Sequence, residues 1–513
     1  MHTGNRLAAV DLGSNSFRLE IGRIEQGEFR RTEYLKETVR QGGGLDEDRN
    51  LTAQAMQSGW DCLARFGERL AGFKPSEVRA VATQTLREAR NRDDFLQRAN
   101  EVLGFPINII SGREEARLIY QGVTHMLPVV DERRLVIDIG GRSTELILGQ
   151  GKVPGVMESF RVGSIAWSKR FFAQGLLGKK AFEIAEVAAM AVLDEAFEAY
   201  HPDNWDTAYG SAGTVGAIGD VLVAAGWPAG TISQESLDWL LEKLISAQTV
   251  DRLRLAGMRE DRKAIIGGGL SVTRALFKLL GIHTLQMASG GLRHGLICDL
   301  LGTSESSAED LRLKSVRRLA SKFSVDVTHG ERVSRTAVAL FKQLEPLMDL
   351  SVSEQQRLVR KLDWAARLHE IGSHISHSDY HKHGAYILDN ADAIGFSLSE
   401  MHRLSLLVLG HRGKLRKVEA ALIDDTLAFQ LVALRLAVIL CHARRDPDLS
   451  GITMSRPDAR KNILQLNYRN SWATAFPQSA HLLREEAVAW QKTHWTLDVV
   501  ASAEHDTPVT KRS

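Results

Sequence analysis

Two stretches of the chain set a carboxylate, glycines and hydroxyls inside an apolar frame. "AAVDLGSNSFRLEIG" spans 8–22 and "LVIDIGGRSTELILG" spans 135–149. Laid over each other, Asp11 meets Asp138, Gly13 meets Gly140, Ser16 meets Ser143, Leu19 meets Leu146 and Gly22 meets Gly149, at a constant offset of 127 residues. Each reads as a strand, a glycine turn and a second strand. A glycine-rich turn leaves backbone N–H groups pointing into one concavity, an anion nest. Glycine also lets phosphate oxygens come close to the backbone. The candidate phosphate contacts are Gly13, Ser14, Asn15 and Ser16 in the first turn, and Gly140, Gly141, Arg142, Ser143 and Thr144 in the second. Asp11 and Asp138 end their strands and suit a hard cation such as Mg²⁺. One such turn is commonly no more than a hairpin; two matching copies point to a pair of phosphate-gripping jaws.

Other residues fit the same chemistry. In "ISGREEARLIY" (110–120) Ser111 and Glu114 have capping-box spacing, Ser at the N-cap and Glu three positions on. Glu114 therefore has a structural task, whereas Glu115 is left either solvated or as a base that orients an attacking water. "AVATQTLREARN" (80–91) sets Arg87 and Asn91 one helical turn apart, with Arg87 suited to phosphate contact or to a surface ion pair. "YGSAGT" (209–214) carries a further small-residue turn at Gly213 and Thr214, and "ASGGLRHG" (288–295) another.

These motifs must sit on an α/β frame. "VRAVAT" (78–83) and "INIIS" (107–111) read as strands between helices at 51–72 and 93–104. The alternation recurs: a strand and small-residue turn at 206–214, helices at 232–246 and 262–281, and a strand, glycine turn and helix at 284–302. Beyond about residue 305 the spacing is helical through 445, and seven histidines fall between His369 and His411. The tail returns to mixed structure, with strands at 462–468 and 496–501 around a helix at 480–492.

"LHEIG" (368–372), "HSDYHKH" (377–383) and "GHRGK" (410–414) resemble fragments of a metal phosphohydrolase site. Glu370 stands where such a site carries Asp, and Val438 where it carries a second Asp. A scaffold without a working metal centre is the expectation. Basic residues cluster there too: Lys382, His383, Arg412 and Lys414 read as a solvated face or as a track for a long polyanion.

The 513 residues allow about three or four domains. At 44% hydrophobic and 25% charged, the composition is that of an ordinary globular chain. A net charge of +2 rules out a general nucleic-acid binder. No apolar run reaches the roughly 20 residues of a membrane helix, and "MHTGNRLAAV" lacks the shape of a signal peptide. Three scattered cysteines argue against a disulfide framework or a zinc site and for a reducing cytoplasm.

Together "VDLGSNSFRLEI", "VATQTLREARN", "IISGREEARLIY", "VIDIGGRSTELI", "YGSAGT", "GGLRHG" and "YHKHGAYIL", in that order, resemble the exopolyphosphatase / guanosine pentaphosphate phosphohydrolase (Ppx/GppA) family. The resemblance implies an α/β core of two actin / sugar kinase / Hsp70-like (ribonuclease H-like) domains at 1–124 and 125–304. An all-α HD-like domain at 305–448 and a small α+β domain at 449–513 follow, as in the four-domain exopolyphosphatases. It implies Mg²⁺-dependent hydrolysis of terminal phosphates from inorganic polyphosphate, taken here first, or from guanosine pentaphosphate; it leaves a K⁺ requirement open and implies a homodimer. The family's catalytic glutamate falls on Glu115, its phosphate-loop Asp, Gly and Glu on Asp138, Gly140 and Glu145, and its phosphate-contacting arginine on Arg87. Asp138, Glu145 and Asp11 are then the metal residues. A kinase of the same core, or a non-catalytic polyphosphate-binding regulator, are the competing readings. Many members carry Gly or Ala where this chain has Arg142, which either points out of the turn or adds a cation beside the phosphates.

Overall fold

The computed structural model describes residues 6–502, except 26–27, 128–130, 303–304, 392 and 459–460. The chain divides into two compact units, Met1–Glu309 and Asp310–Ser513.

Both repeats are antiparallel hairpins at the heart of a sheet. In the first unit, β1 (Arg6–Leu12), β2 (Phe17–Glu25), β3 (Glu28–Glu37), β4 (Val78–Ala82) and β5 (Ile107–Ile109) form one sheet in the order β3-β2-β1-β4-β5. β6 (Arg133–Ile139), β7 (Thr144–Gln150), β8 (Val153–Phe160), β9 (Thr207–Ser211), β10 (Thr231–Ser233) and β11 (Thr284–Met287) form a second, ordered β10-β11-β9-β6-β7-β8. β1 pairs antiparallel with β2 and parallel with β4; β6 pairs antiparallel with β7 and parallel with β9. The equivalence extends to the turns, since Leu12 pairs with Phe17 and Ile139 with Thr144, each closing four residues. β1 and β6 are buried almost throughout, as expected for strands covered on both faces. Asp11 and Asp138 are exceptions to an apolar sequence that the fold carries into its interior.

Glycine sets how closely the helices pack. The helix Gly112–His125 lies against the helix Leu292–Gly302. A Cβ on Gly295 would stand 1.9 Å from the Leu118 carbonyl oxygen, and one on Gly122 would stand 2.1 Å from that of Gly291. Beside this contact Arg117 bridges Glu114 at 2.8 Å and Asp299 at 2.7 Å. The pairing fixes the helix that carries Glu115. Gly295→Ala is expected to destabilise the protein by about 3 kcal/mol, read as a lower urea midpoint at unchanged m-value.

In the second unit the helices Val327–Lys342, Val352–Arg367, Tyr380–Asn390, Leu398–Gly410 and Asp425–Leu440 surround one apolar core. β12 (Ile452–Ser455), β13 (Ile463–Arg469) and β14 (Thr496–Ser502), with helices Asn470–Ala475 and Pro477–Trp490, join that same core through Leu464, Leu466, Trp490 and Trp495. A buried pair, Arg435 with Glu486, bonds the two parts at 2.5 and 2.7 Å. Val438 packs against the core, consistent with its inability to ligate anything.

One local expectation is corrected. Arg87 and Asn91 do not share a helix: one short helix ends at Glu88 and the next starts at Arg92. Asn91 instead exchanges two hydrogen bonds with the Leu51 backbone, at 2.8 and 3.0 Å. Its side-chain amide mimics a strand neighbour there, a structural task.

Candidate active site

The two hairpin turns open onto one cleft of about 300 Å³ within the first unit. Gly13, Ser14, Asn15 and Ser16 line it from the first turn, and Gly140, Gly141 and Ser143 from the second. Gly213 and Thr214 reach it from the start of the helix Ala212–Ala224, which follows β9 directly. Helix starts expose unbonded N–H groups, so this wall too favours an anion. Asp11, Asp138 and Glu115 complete the set of expected residues in the cleft.

Glu115 owes its position to the capping of its helix. Ser111 accepts the Glu114 N–H at 3.2 Å. The Glu114 carboxylate then pairs with Arg117 and Arg79. Glu114 is structural, as its spacing indicates, but through arginines. Glu115, one position on, faces the cleft while its Oε2 accepts from Arg87 Nη1 at 2.8 Å.

Four expected residues do not line the cleft. Arg87 is spent on Glu115, Gln84 and the Ile110 carbonyl. Arg142 points out of its turn: it donates to Glu88 at 2.5 Å and to the Gly42 carbonyl at 3.0 Å, latching the second hairpin to the first half of the unit. Thr144 donates to the Val162 carbonyl at 2.6 Å and turns away. Glu145 lies buried opposite Asp138 in the sheet register and accepts from Ser159 at 2.7 Å. Lys382, His383, Arg412 and Lys414 belong to the second unit. There Lys382 pairs with Asp379, and Arg412 lies over the Tyr380 ring at 4.6 Å. The neighbouring Lys417 is pushed down to about 8 by burial and then by Arg435 and Lys382, the signature of crowded cations.

The carboxylates repel one another. Burial, with the charges of Glu115 and Asp11, lifts Asp138 to about 7 against the Ser211 hydrogen bond and Arg18. Burial, then Glu115 and Asp138, holds Glu145 well above the usual range. Burial also raises Glu115, and Arg87 opposes it. Asp138 and Glu145 have no ion-pair partner among the described residues, whereas Asp11 meets Arg18 at 3.2 Å. Such an all-oxygen set fits Mg²⁺. Among the described residues no three cleft carboxylates bring oxygens within 4.8 Å of one another.

Sequence reasoning missed the cationic wall. Arg18, Lys36, Arg259, Arg262, Arg293 and His294 all line the cleft. Arg262 is 4% exposed, its Nε has no hydrogen-bond partner among the described residues, and Asp261 stands 3.7 Å off. Burial and Arg18 lower it to about 10. A buried guanidinium with unmet donors beside Gly213 is a ready partner for phosphate oxygens. Arg18 and Arg293 lie inside quoted motifs; Lys36, Arg259 and Arg262 have no local signal.

Because Arg87 pulls the Glu115 carboxyl down, its removal has a signed consequence. Arg87→Met should move the acidic limb of the pH–rate profile upward by about one pH unit or more. Arg87→Lys should restore most of the shift, and an unmoved limb in Arg87→Met would show that the pair only braces the fold.

The sequence profile of the Ppx/GppA phosphatase family matches residues 21–304, and that of Ppx/GppA phosphatase domain III matches 311–487. The chain belongs to the Ppx/GppA phosphatase family. It is accordingly a hydrolase of phosphoric anhydrides. A protein of Aeromonas hydrophila subsp. hydrophila, named guanosine-5′-triphosphate,3′-diphosphate pyrophosphatase, is 36% identical over 499 residues, 96% of this chain and 99% of that one. An exopolyphosphatase structure from Cytophaga hutchinsonii superposes with a TM-score of 0.53 at 24% identity, covering 58% of this chain and 97% of that one. A Ppx/GppA member from Aquifex aeolicus gives 0.50 at 23%, covering 59% and 99%. These likenesses establish the actin-like α/β fold of the Ppx/GppA core, followed here by the helical unit. No helix among the described residues is long and apolar enough to cross a membrane.

Proposed function

We propose that this Ppx/GppA phosphatase hydrolyses the terminal 5′-phosphate of guanosine pentaphosphate. The observation that carries the substrate is the near full-length match to a protein named for that nucleotide. It favours the nucleotide over inorganic polyphosphate, the substrate taken first from the motifs. A kinase reading gains nothing from the cleft, and a non-catalytic regulator has no use for Glu115.

The terminal phosphate lies between the turns Gly13–Ser16 and Gly140–Ser143, its oxygens met by backbone N–H groups. Arg262, Arg18 and Arg293 offset the charge of the remaining phosphates. Asp138 and Asp11, with Glu145 behind them, would hold Mg²⁺, which would neutralise charge developing on the phosphoryl oxygens. Glu115 orients water in line with the scissile bond and accepts its proton. Burial raises the basicity of Glu115, and Arg87 keeps it ionised and aimed.

A second reading rests on the crowded cations near Lys382, Arg412 and Lys417, which suit a longer polyanion. Initial rates of phosphate release from guanosine pentaphosphate, long-chain polyphosphate and ATP, each with Mg²⁺ and with chelator, separate the two. The nucleotide should give the highest kcat/KM, by about tenfold or more. Faster cleavage of polyphosphate would overturn the assignment, and release from none of them would overturn the mechanism.

A further inference from the structure

We propose that the helical unit binds a divalent transition-metal ion of the zinc class on His329, His369 and Glu370. One donor atom of each lies within 4.8 Å of the other two. The sequence led to the opposite expectation, from three scattered cysteines and from Glu370 and Val438 standing where a phosphohydrolase site carries Asp; the donors here are two imidazoles and a carboxylate, a set that selects first-row transition ions over Mg²⁺ or Ca²⁺. Three protein ligands leave coordination positions open for water.

The backbone holds these donors in place. Asp326 caps the helix Val327–Lys342 and accepts the His329 N–H at 3.0 Å. His369 and Glu370 follow the end of the helix Val352–Arg367. His369 Nδ1 stands 2.7 Å from the Ala366 carbonyl, so that nitrogen carries the proton and Nε2 keeps its lone pair. Such a hydrogen bond orients metal-bound imidazoles and raises their basicity. Arg444 donates to one Glu370 oxygen at 2.8 Å and leaves the other for the ion.

A second observation is independent of this triad. His411 is 2% exposed, and its ring centroid lies 5.3 Å from that of His369. Its Nδ1 bonds the Val408 carbonyl in the same way, and its Nε2 has no partner among the described residues. His381, 5% exposed, has a partnerless Nδ1 as well. Buried polar atoms left unmet are costly; His411 stands beside His369, and His381 stands beyond it, its ring centroid 6.3 Å from that of His411. Arg444, with Arg332 at 3.4 Å from His329 Nδ1, moderates the affinity for a cation. The ion ties the start of one helix to the end of the next and adds its binding energy to the stability of the unit.

The test uses the full chain, stripped with chelator and titrated with Zn²⁺ alone against a chromophoric competitor, with thermal melting followed in parallel. Wild type should bind Zn²⁺ and melt several degrees higher with it. Glu370→Gln, at a half-buried position that tolerates the change, and His329→Gln should each weaken that Zn²⁺ by at least about tenfold and abolish the rise in melting temperature. Co²⁺ loading should give visible absorption bands that both variants lose. Zinc held at the cleft carboxylates would survive both substitutions. The proposal falls if wild type binds no Zn²⁺, or if both variants bind and melt as wild type does.

Discussion

Glu115→Gln lowers turnover by about 10²–10⁴-fold, the range lost when a positioned general base is removed. Binding of guanosine pentaphosphate stays within a few-fold of wild type, because the amide keeps the shape of the side chain and the phosphate-gripping turns are untouched. The reason is local. Glu115 is buried at 7% exposure, faces the cleft and is steadied by Arg87 at 2.8 Å. Gln relieves the repulsion among neighbouring carboxylates but takes the counter-charge from Arg87, so the two effects offset and the variant should melt within a few degrees of wild type. Steady-state kinetics with equilibrium binding checks both halves. Near-normal turnover would remove Glu115 from the mechanism; a parallel loss of binding would recast it as a cleft-shaping residue.

Asp138→Asn is expected to lose about 10²–10³-fold in kcat/KM and to require more Mg²⁺ for half-maximal rate. Asp138 lines the cleft without an ion-pair partner and is lifted to about 7, chiefly by burial. It gains most from a cation. Glu145→Gln should cost less, since Glu145 sits behind the cleft wall and already accepts from Ser159. Titrating Mg²⁺ against initial rate for the three proteins checks the ranking. Equal losses at both positions would place Glu145 in direct contact with the ion instead.

Much of this site was legible because the repeat is local. A hairpin and its turn are specified by adjacent residues, so Asp11, Gly13, Asp138 and Gly140 could be read together from their spacing, and the sheets place them as equivalents. The split of roles between Glu114 and Glu115 followed from helix capping, another local rule. What failed was direction and distance. Nothing local tells that Arg142 reaches Glu88, 54 residues earlier, or that Thr144 turns to the Val162 carbonyl. Arg87 has the charge for phosphate, yet a buried carboxylate 28 residues on claims it first. β3 was invisible as a strand because "EFRRTEYLKE" is an edge strand of charges rather than an alternating one, and with it went Lys36 on the cleft. Arg262 sits inside a helix of four residues, Glu260–Lys263, too short to show a period. In the second unit, His329 stands 40 residues before His369, and only the fold brings them together.

The central claim is that water activated at Glu115 attacks the terminal phosphorus of the nucleotide held between the two turns. It is tested most directly by running the reaction on guanosine pentaphosphate in ¹⁸O-water and weighing both products by mass spectrometry. The account predicts a single ¹⁸O in the released orthophosphate and none in the nucleotide, with Glu115→Gln slowing appearance of that labelled phosphate. Label in the nucleotide product, or release of pyrophosphate in place of orthophosphate, would contradict it.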